Sequence, residues 1–113
     1  MALTDPYYAV IEAGGTKFNC AVVTPGRDIV AEIRIPTTTP EETLAKTVAF
    51  FQQQREAGHA FTQMGIASFG PLDLNPASAT YGYITKTPKP DWSHTNLAGH
   101  LAAHLACEVT IDT

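Results

Sequence analysis

Cysteine is scarce in this sequence, and long apolar runs are missing. The two cysteines, Cys20 and Cys107, lie inside predicted elements without paired spacing, so we interpret them as reduced core thiols of a cytoplasmic protein. Asp5 and Pro6 interrupt the start and no apolar h-region follows, so we expect no signal peptide. The longest apolar stretches are much shorter than the roughly 20 residues that span a membrane, so we expect no membrane partner.

Charged residues are also few, at 16% of the chain, and the net charge is −4 with a pI near 5.4. Such a chain has no broad basic surface, so we expect no nucleic-acid partner. Any bound phosphate must then be held by local backbone amides, a lysine and a metal ion. The 113 residues are 44% hydrophobic, which is enough for the core of one compact domain over residues 1–113.

The most informative segment that is present is Glu12–Lys17, which reads Glu-Ala-Gly-Gly-Thr-Lys. It lies between two stretches with the β-branched and aromatic composition of strands, Tyr7–Ile11 and Phe18–Val23. The predicted strands of this hairpin are Tyr7–Ala13 and Thr16–Val23. The Gly14–Gly15 pair predicts a tight type I′ hairpin, because both central residues of that turn need positive φ. An acid before the turn and a hydroxyl and an amine after it suit a phosphate and its divalent metal. A hairpin that binds nothing is the alternative that this segment alone leaves open.

The rest of the chain predicts alternating strands and helices. Thr39, Pro40 and Glu42 form a helix start, with Thr39 as the N-cap and Glu42 completing a capping box. Periodicity and turn residues predict the following elements: a strand over Ile29–Ile35 with one half-buried face, a helix from Pro40 to Ala57–Gly58, a central strand over Met64–Phe69, a short strand within Tyr81–Thr85, a helix from Thr95 or Asn96, and a strand over Glu108–Asp112. The main elements follow the order β-β-β-α-β-α-β, which predicts a ribonuclease-H-like α/β fold with a mixed sheet and flanking helices.

Four blocks of sequence together resemble the ROK family of bacterial sugar kinases, and within it the fructokinase-like branch. The blocks are Glu12–Lys17, Thr37–Glu42, Gly65–Leu74 and Tyr81–Pro90 with Trp92, and the resemblance covers residues 8–113. The family has the fold of the actin-like ATPase and sugar kinase superfamily, with two lobes that close over a sugar and MgATP. The resemblance implies that this chain is most of the N-terminal lobe of a homodimeric, cytoplasmic kinase, with the C-terminal lobe absent.

The resemblance also implies roles for the hairpin residues. In the family, this hairpin lies under the β- and γ-phosphates of ATP. Carried onto this sequence, Gly14 and Gly15 let the backbone approach the phosphates, and Thr16 and Lys17 contact them. Glu12 would lie near the magnesium ion. The family more often has Asp at this position, so the longer Glu implies a contact through water.

A second set of residues corresponds to the sugar-facing side of the family's site: Gly70, Pro71, Thr85 and Thr113. On the residues alone, Gly70 and Pro71 could simply end a strand, and the nearby Lys86 and Lys89 could belong to a solvated loop. The family's general base, an Asp, is expected one residue after Thr113, so we assign no catalytic residue within this chain. Asp112 is not given that role. The family's zinc-binding His/Cys cluster is expected only in the absent C-terminal lobe.

The expected activity of the full-length protein is ATP-dependent phosphorylation of a hexose, with conversion of fructose to fructose 6-phosphate as the leading case. The isolated chain is expected to be inactive. A sugar-responsive ROK transcriptional regulator is one alternative, although only six residues precede the first predicted strand, where such regulators have a helix-turn-helix. A non-catalytic sugar- or nucleotide-binding domain is the other. His100 and His104 have a spacing that can hold a metal, but they flank an apolar helix stripe and are interpreted as boundary residues.

Overall fold

The computed structural model describes residues 7–113. Its elements, in chain order, are β1 (Tyr7–Ala13), β2 (Lys17–Val23), β3 (Ile29–Pro36), α1 (Pro40–Glu56), β4 (Phe61–Ser68), β5 (Tyr83–Ile84), β6 (Thr95–Asn96), α2 (Leu97–Leu105) and β7 (Glu108–Asp112). The predicted order of the main elements is confirmed. The pair β5–β6 adds a small antiparallel ribbon at the end of the long connection that follows β4.

Five strands form one mixed sheet in the order β3-β2-β1-β4-β7. β1 pairs antiparallel with β2, and β2 pairs antiparallel with β3, whereas β4 runs parallel to both of its neighbours, β1 and β7. The β1–β2 loop therefore lies at the same edge of the sheet as the carboxyl ends of β4 and β7. Ligands of α/β sheets bind at this edge, so the predicted site residues should meet there.

Alternation along the strands separates a packed face from an open face. On β1, Ala9, Ile11 and Ala13 are buried, whereas Tyr8 and Val10 are 40% and 36% exposed. The buried set faces the two helices, and the exposed set lies on a face that no helix of the described chain covers. The chain therefore has a single core, which lies between the helices and one face of the sheet.

The helix starts agree with the predicted positions, but Glu42 does not complete the predicted capping box, because its carboxylate accepts from the Thr38 hydroxyl at 2.6 Å. At the start of α1, the Thr39 side chain accepts a hydrogen bond from the Glu42 amide. Asn96 caps α2 in the same way, by accepting from the Gly99 amide. The apolar stripe of α2 is completely buried: Leu97, Leu101 and Leu105. Burial of one such leucine stabilises the fold by about 1.5–3 kcal/mol relative to exposure. In the described residues, neither helix combines the length and the apolar character needed to cross a membrane.

The predicted bounds of the central strand are wrong. β4 begins at Phe61 rather than at Met64, because Phe61 already pairs with Tyr7 at the start of β1. It ends at Ser68 rather than at Phe69. β4 is central in the sheet, as predicted. Its apolar composition on both faces does not bring burial on both faces here, because the second face is open in the described chain.

The predicted half-buried face of β3 is confirmed only in part, with Ala31 partly buried against the core. Only Ile35 is buried, whereas Ile29 and Ile33 are 57% and 41% exposed. β3 is an edge strand with one neighbour, and a register shift between Val22 and Val23 disturbs its pairing near the start. The alternation in the sequence is real, but the helices cover only the end of the strand that leads into α1.

Candidate functional site

The loop between β1 and β2 is longer than predicted. The last cross-strand pair joins Ala13 and Phe18, so the loop consists of Gly14–Lys17. The Gly14 amide donates to the Lys17 carbonyl at 2.9 Å and closes the loop. Neither Gly14 nor Gly15 has a φ in the left-handed region, so the predicted type I′ turn is wrong. Hairpin loops of this length are most often built around a type I turn, which needs no positive φ at its centre.

Thr37 holds this loop from behind. Its hydroxyl donates to the Gly14 carbonyl at 2.7 Å, and its amide donates to the Thr16 carbonyl at 2.9 Å. Thr37 is buried and directly follows β3, whose last residue, Pro36, pairs with Lys17. Two carbonyls of the loop are thus fixed on its inner side by a residue that the sequence analysis did not select.

The outer side of the loop carries free hydrogen-bond donors. Within the described chain, the amides of Gly15 and Thr16 donate to no protein acceptor. A Cβ atom at Gly15 would meet nothing within 4 Å, so the space beside it is open. The side chains of Thr16 and Lys17 are exposed, and the described residues offer neither of them an ion-pair or hydrogen-bond partner. Free amides, a hydroxyl and an ammonium group at one tip fit a phosphate.

Glu12 is the acid at this hairpin that fits a metal ion. It is exposed on the open face of the sheet, and Asn19 Nδ2 donates to its Oε1 at 2.9 Å. In register, Glu12 lies opposite Ala67, and Ala67 lies opposite Asp112, so both carboxylates belong to the same face. No group of three or more His, Cys, Asp or Glu side chains that could hold a metal occurs among the described residues. This donor set fits magnesium, which keeps several waters and takes phosphate oxygens as further ligands.

The four residues predicted to face the sugar meet at a corner after β4. The Thr85 amide and hydroxyl both donate to the Pro71 carbonyl, at 2.8 and 3.2 Å. A Cβ atom on Gly70 would lie 3.9 Å from the Thr113 methyl group and 2.9 Å from the Leu72 nitrogen. Gly70 is therefore required by close packing, and the structure brings all four residues together.

Thr87 lies in the Tyr81–Pro90 block but was not among the predicted site residues, and it also belongs to this corner. Its hydroxyl donates to the Gly70 carbonyl at 3.1 Å. Thr37 and Thr87 both bond carbonyls that are remote in the sequence, 23 and 17 positions away. A local motif could not reveal either contact, because the partner is set by the tertiary fold.

The hairpin and the corner are physically joined. The Phe69 amide donates to the Ala13 carbonyl at 2.9 Å and so continues the β1–β4 ladder to the corner. Trp92 is buried between them, with ring centroids 5.6 Å from Phe18 and 5.7 Å from Phe69. Its indole nitrogen donates to the Thr38 carbonyl at 2.7 Å. The two predicted parts of the site thus share one rigid support.

A depression of about 630 Å³ lies on the open face of the sheet, beside Glu12 and Asn19. Residues of β3, including Glu32 and Arg34, form its far wall. Neither the loop tip nor the Gly70 corner lines it. We attribute this depression to the uncovered sheet face and assign no ligand to it.

The two cysteines are free, as predicted. Burial raises the pKa of the Cys20 thiol to about 12, although a hydrogen bond with the Thr47 side chain opposes the shift. Partial burial also raises the pKa of Cys107, and the positive charge of Arg55 opposes that shift. A thiol with a raised pKa is a poor nucleophile, so neither cysteine belongs to the site.

His100 and His104 form a stacked pair on α2, with ring centroids 4.0 Å apart. His104 is exposed and His100 is half-buried, which agrees with the predicted boundary positions. Desolvation lowers the pKa of His100, and the nearby His104 lowers it further. The pair lies on the helix, away from the hairpin and the corner.

Comparison with known proteins places these features in a family. Residues 8–113 match the ROK family. A fructokinase of Zymomonas mobilis is 48% identical over 107 residues, which are 94% of this chain and 36% of that protein. A fructokinase of Streptococcus mutans is 52% identical over 92 residues, which are 81% of this chain and 30% of that protein. The chain thus spans about a third of the length of the curated relatives it matches.

A solved structure supports the fold. The crystal structure of a ROK family glucokinase from Streptomyces griseus, in complex with glucose and AMPPNP, has a TM-score of 0.72 to this chain at 24% identity. The match covers 95% of this chain and 33% of that one. A likeness at this level of identity shows the fold alone. The predicted ribonuclease-H-like fold of the actin-like ATPase and sugar kinase superfamily is confirmed.

Proposed function

The chain belongs to the ROK family, and from that premise we propose that the whole protein is an ATP-dependent sugar kinase. The observation that carries the proposal is the hairpin loop, where the amides of Gly15 and Thr16 are free and the next residue, Lys17, has an exposed side chain. We propose fructose as the sugar and fructose 6-phosphate as the product. The two relatives named fructokinase, at 48% and 52% identity, support this choice of substrate.

At the phosphate end, the groups of the loop bind and orient the nucleotide. The Gly15 and Thr16 amides would donate to phosphate oxygens, and the Thr16 hydroxyl and the Lys17 ammonium group would add further donors. Thr37 fixes the loop through two hydrogen bonds before any ligand binds, so that little conformational freedom is lost on binding. Donors that are fixed in advance are the main means by which such enzymes stabilise charge on a transferred phosphoryl group.

Glu12 is proposed to hold magnesium through water. Its exposed carboxylate, fixed by Asn19, lies at the end of β1, next to the loop. When bound, the ion would offset negative charge on the phosphates during transfer.

On the sugar side, we propose that Gly70, Pro71, Thr85 and Thr113 line the site. Thr85 keeps acceptor capacity on its hydroxyl oxygen, because the hydroxyl itself donates to Pro71. The general base is proposed to be an Asp one residue after Thr113. Asp112 is not given that role, because the family's base is expected beyond Thr113; its Oδ1 accepts the Thr113 amide at 2.8 Å.

We further propose that residues 1–113 form the N-terminal lobe of the kinase and that the other lobe supplies the adenosine site. A homodimeric state, a cytoplasmic location and a zinc cluster beyond this chain stay predictions.

Steady-state kinetics on the purified full-length protein test this function. We expect ADP release that requires both Mg²⁺ and a sugar, with a higher kcat/KM for fructose than for glucose or mannose. The 113-residue chain, without the proposed base, is expected to give no turnover. A well-folded full-length protein that releases no sugar-dependent ADP would contradict the kinase assignment. A higher kcat/KM for another hexose would contradict only the choice of fructose.

The two alternatives weighed from the sequence predict different outcomes in the same experiment. A transcriptional regulator would bind operator DNA in a sugar-dependent manner and release no ADP. A non-catalytic domain would bind sugar or nucleotide, but it would neither bind operator DNA nor release ADP. The free donors of the hairpin loop favour the kinase, because a regulator that senses only a sugar has no use for a phosphate-binding loop.

A further inference from the structure

Asn19 is the direct cross-strand neighbour of Glu12. The two residues are paired in the β1–β2 register, on the open face of the sheet, and Asn19 Nδ2 donates to Glu12 Oε1 at 2.9 Å. We propose that Asn19 is a positioning residue, which holds one oxygen of the Glu12 carboxylate and leaves the other for the hydrated magnesium ion. This inference rests on the proposed function, because it takes the metal-side role of Glu12 as given.

The hydrogen bond uses only one oxygen of the carboxylate. Within the described chain, Glu12 Oε2 has no hydrogen-bond donor, and no cation forms an ion pair with Glu12. A glutamate side chain rotates about three bonds, so an exposed and unsupported carboxylate visits many positions. A partner that fixes one oxygen reduces that freedom before the metal arrives, and such outer partners strongly affect the affinity of metal sites.

The length of the loop determines which residue faces Glu12. A two-residue turn at Gly14–Gly15 would place Lys17 opposite Glu12, and the ammonium group would neutralise the carboxylate. The observed loop of Gly14–Lys17 places Asn19 there instead. An amide donor fixes the carboxylate without cancelling its negative charge. A cation site needs that charge. The same register leaves Lys17 at the tip, where the proposed phosphate binds.

Asn19 also lies between Glu12 and a cation of β3, Arg34. Arg34 on β3 lies opposite Asn19, so the row runs Arg34, Asn19, Glu12 across three strands. Asparagine is disfavoured in strands, and the two residues that follow it on the same face of β2, Ala21 and Val23, are apolar, whereas Lys17 precedes it on that face. A residue that breaks the local preference beside a proposed site is the pattern expected of a functional position.

Metal binding by the full-length protein tests this inference without relying on turnover. The probe is Mn²⁺ in the presence of ADP, measured by electron paramagnetic resonance. Asn19→Val removes the donor and suits a strand. The matched control is Ala21→Val, on the same face and the same strand but opposite Val10 rather than Glu12. We expect Asn19→Val to weaken Mn²⁺ binding by about tenfold or more, the usual effect of removing an outer-sphere partner. The control should bind as wild type does.

Three outcomes are informative. A tenfold loss in Asn19→Val alone, with unchanged thermal unfolding, supports the positioning role. Wild-type affinity in Asn19→Val, or equal losses in both variants, overturns it while leaving the proposed function intact. A wild-type protein that binds neither Mn²⁺ nor ADP overturns both proposals together. Asn19→Gln, which keeps an amide donor, should recover part of the lost affinity if the hydrogen bond is the cause.

Discussion

Thr37 fixes the hairpin loop because its two donors both end on loop carbonyls. The hydroxyl bonds Gly14, and the amide bonds Thr16. Since these carbonyls are held on the inner side, the Gly15 and Thr16 amides remain free on the outer side. One buried threonine thus determines which backbone groups a ligand can reach.

Replacing Thr37 with valine should weaken both the fold and the loop. Thr37→Val keeps the shape but leaves the partly buried Gly14 carbonyl without a donor. We expect the free energy of unfolding to fall by about 1–3 kcal/mol, the usual cost of such a lost partner. Urea unfolding measures this, with Thr110→Val on the exposed side of β7 as the control. Equal midpoints for the two variants would show that the Thr37 hydroxyl does not hold the loop.

The buried thiol of Cys20 predicts a loss of stability at high pH. Its pKa is raised to about 12 in the folded chain, whereas an unfolded cysteine titrates near about 8.5. The unfolded state therefore ionises first as the pH rises. The stabilising contribution is complete below about pH 8.5 and is lost progressively between that pH and about 12.

Thermal unfolding between pH 8 and pH 11 checks this effect. The melting temperature should fall more steeply with pH in the wild type than in Cys20→Ala, even though the alanine variant is less stable throughout. Iodoacetamide at pH 8 should also modify half-buried Cys107 before buried Cys20. Parallel pH slopes, or faster labelling of Cys20, would contradict the assigned burial.

At the level of elements, Arg55 joins the end of α1 to the rest of the fold. Its guanidinium group donates to the Leu105 carbonyl at the end of α2 and, at 2.9 Å, to the Phe61 carbonyl at the start of β4. It also lies over the Phe61 ring, 4.1 Å from the centroid. One side chain thus connects two helices and the central strand.

Arg55→Met should destabilise the chain by about 1.5–3 kcal/mol, because charge-assisted hydrogen bonds to two carbonyls are lost while the aliphatic packing is kept. Lys46→Met is the matched control on the same helix. Lys46 forms only an exposed ion pair with Glu42 at 3.9 Å, and such pairs contribute at most about 1 kcal/mol. The urea midpoints of the two variants measure this difference in stability. A loss of stability in Arg55→Met no larger than that in Lys46→Met would refute the bridging role of Arg55.

Local sequence patterns predicted the positions of helices and strands well, but they predicted turn geometry and side-chain burial less well. The Thr39 and Asn96 caps depend on contacts within one turn, so the sequence is sufficient to locate them. The hairpin itself was predicted, but its turn type and loop length were not, and the loop is held by Thr37, which is distant in the sequence. The exposure of Ile33 could not be predicted either, because alternation shows that a strand has two faces but not which parts a helix covers.

Across the whole molecule, the hydrophobic core and the proposed binding site occupy different regions. The helices and the packed sheet face form the core, whereas the hairpin tip and the Gly70 corner lie at the carboxyl edge of β1, β4 and β7. The sequence could indicate this edge, because the resemblance covers both segments. It could not indicate the contacts of Thr37, Thr87 or Asn19, because those contacts depend on register and tertiary packing.

Titration of the full-length protein with MgADP, for the wild type and for Gly15→Ala, shows most directly whether the hairpin tip holds phosphate. A Cβ atom at Gly15 touches nothing within 4 Å and its φ is not left-handed, so the melting temperature should not fall. Gly14→Ala is the structural contrast, because its Cβ atom would lie 3.0 Å from the Lys17 carbonyl and should cost stability. We expect Gly15→Ala to bind MgADP about tenfold or more weakly, because its Cβ atom would occupy the open space beside the loop and push the phosphate out of reach of an amide. Losing one hydrogen bond to a charged group costs about 1.5–3 kcal/mol. A Gly15→Ala protein that binds MgADP as tightly as the wild type would show that the phosphate does not lie at this hairpin.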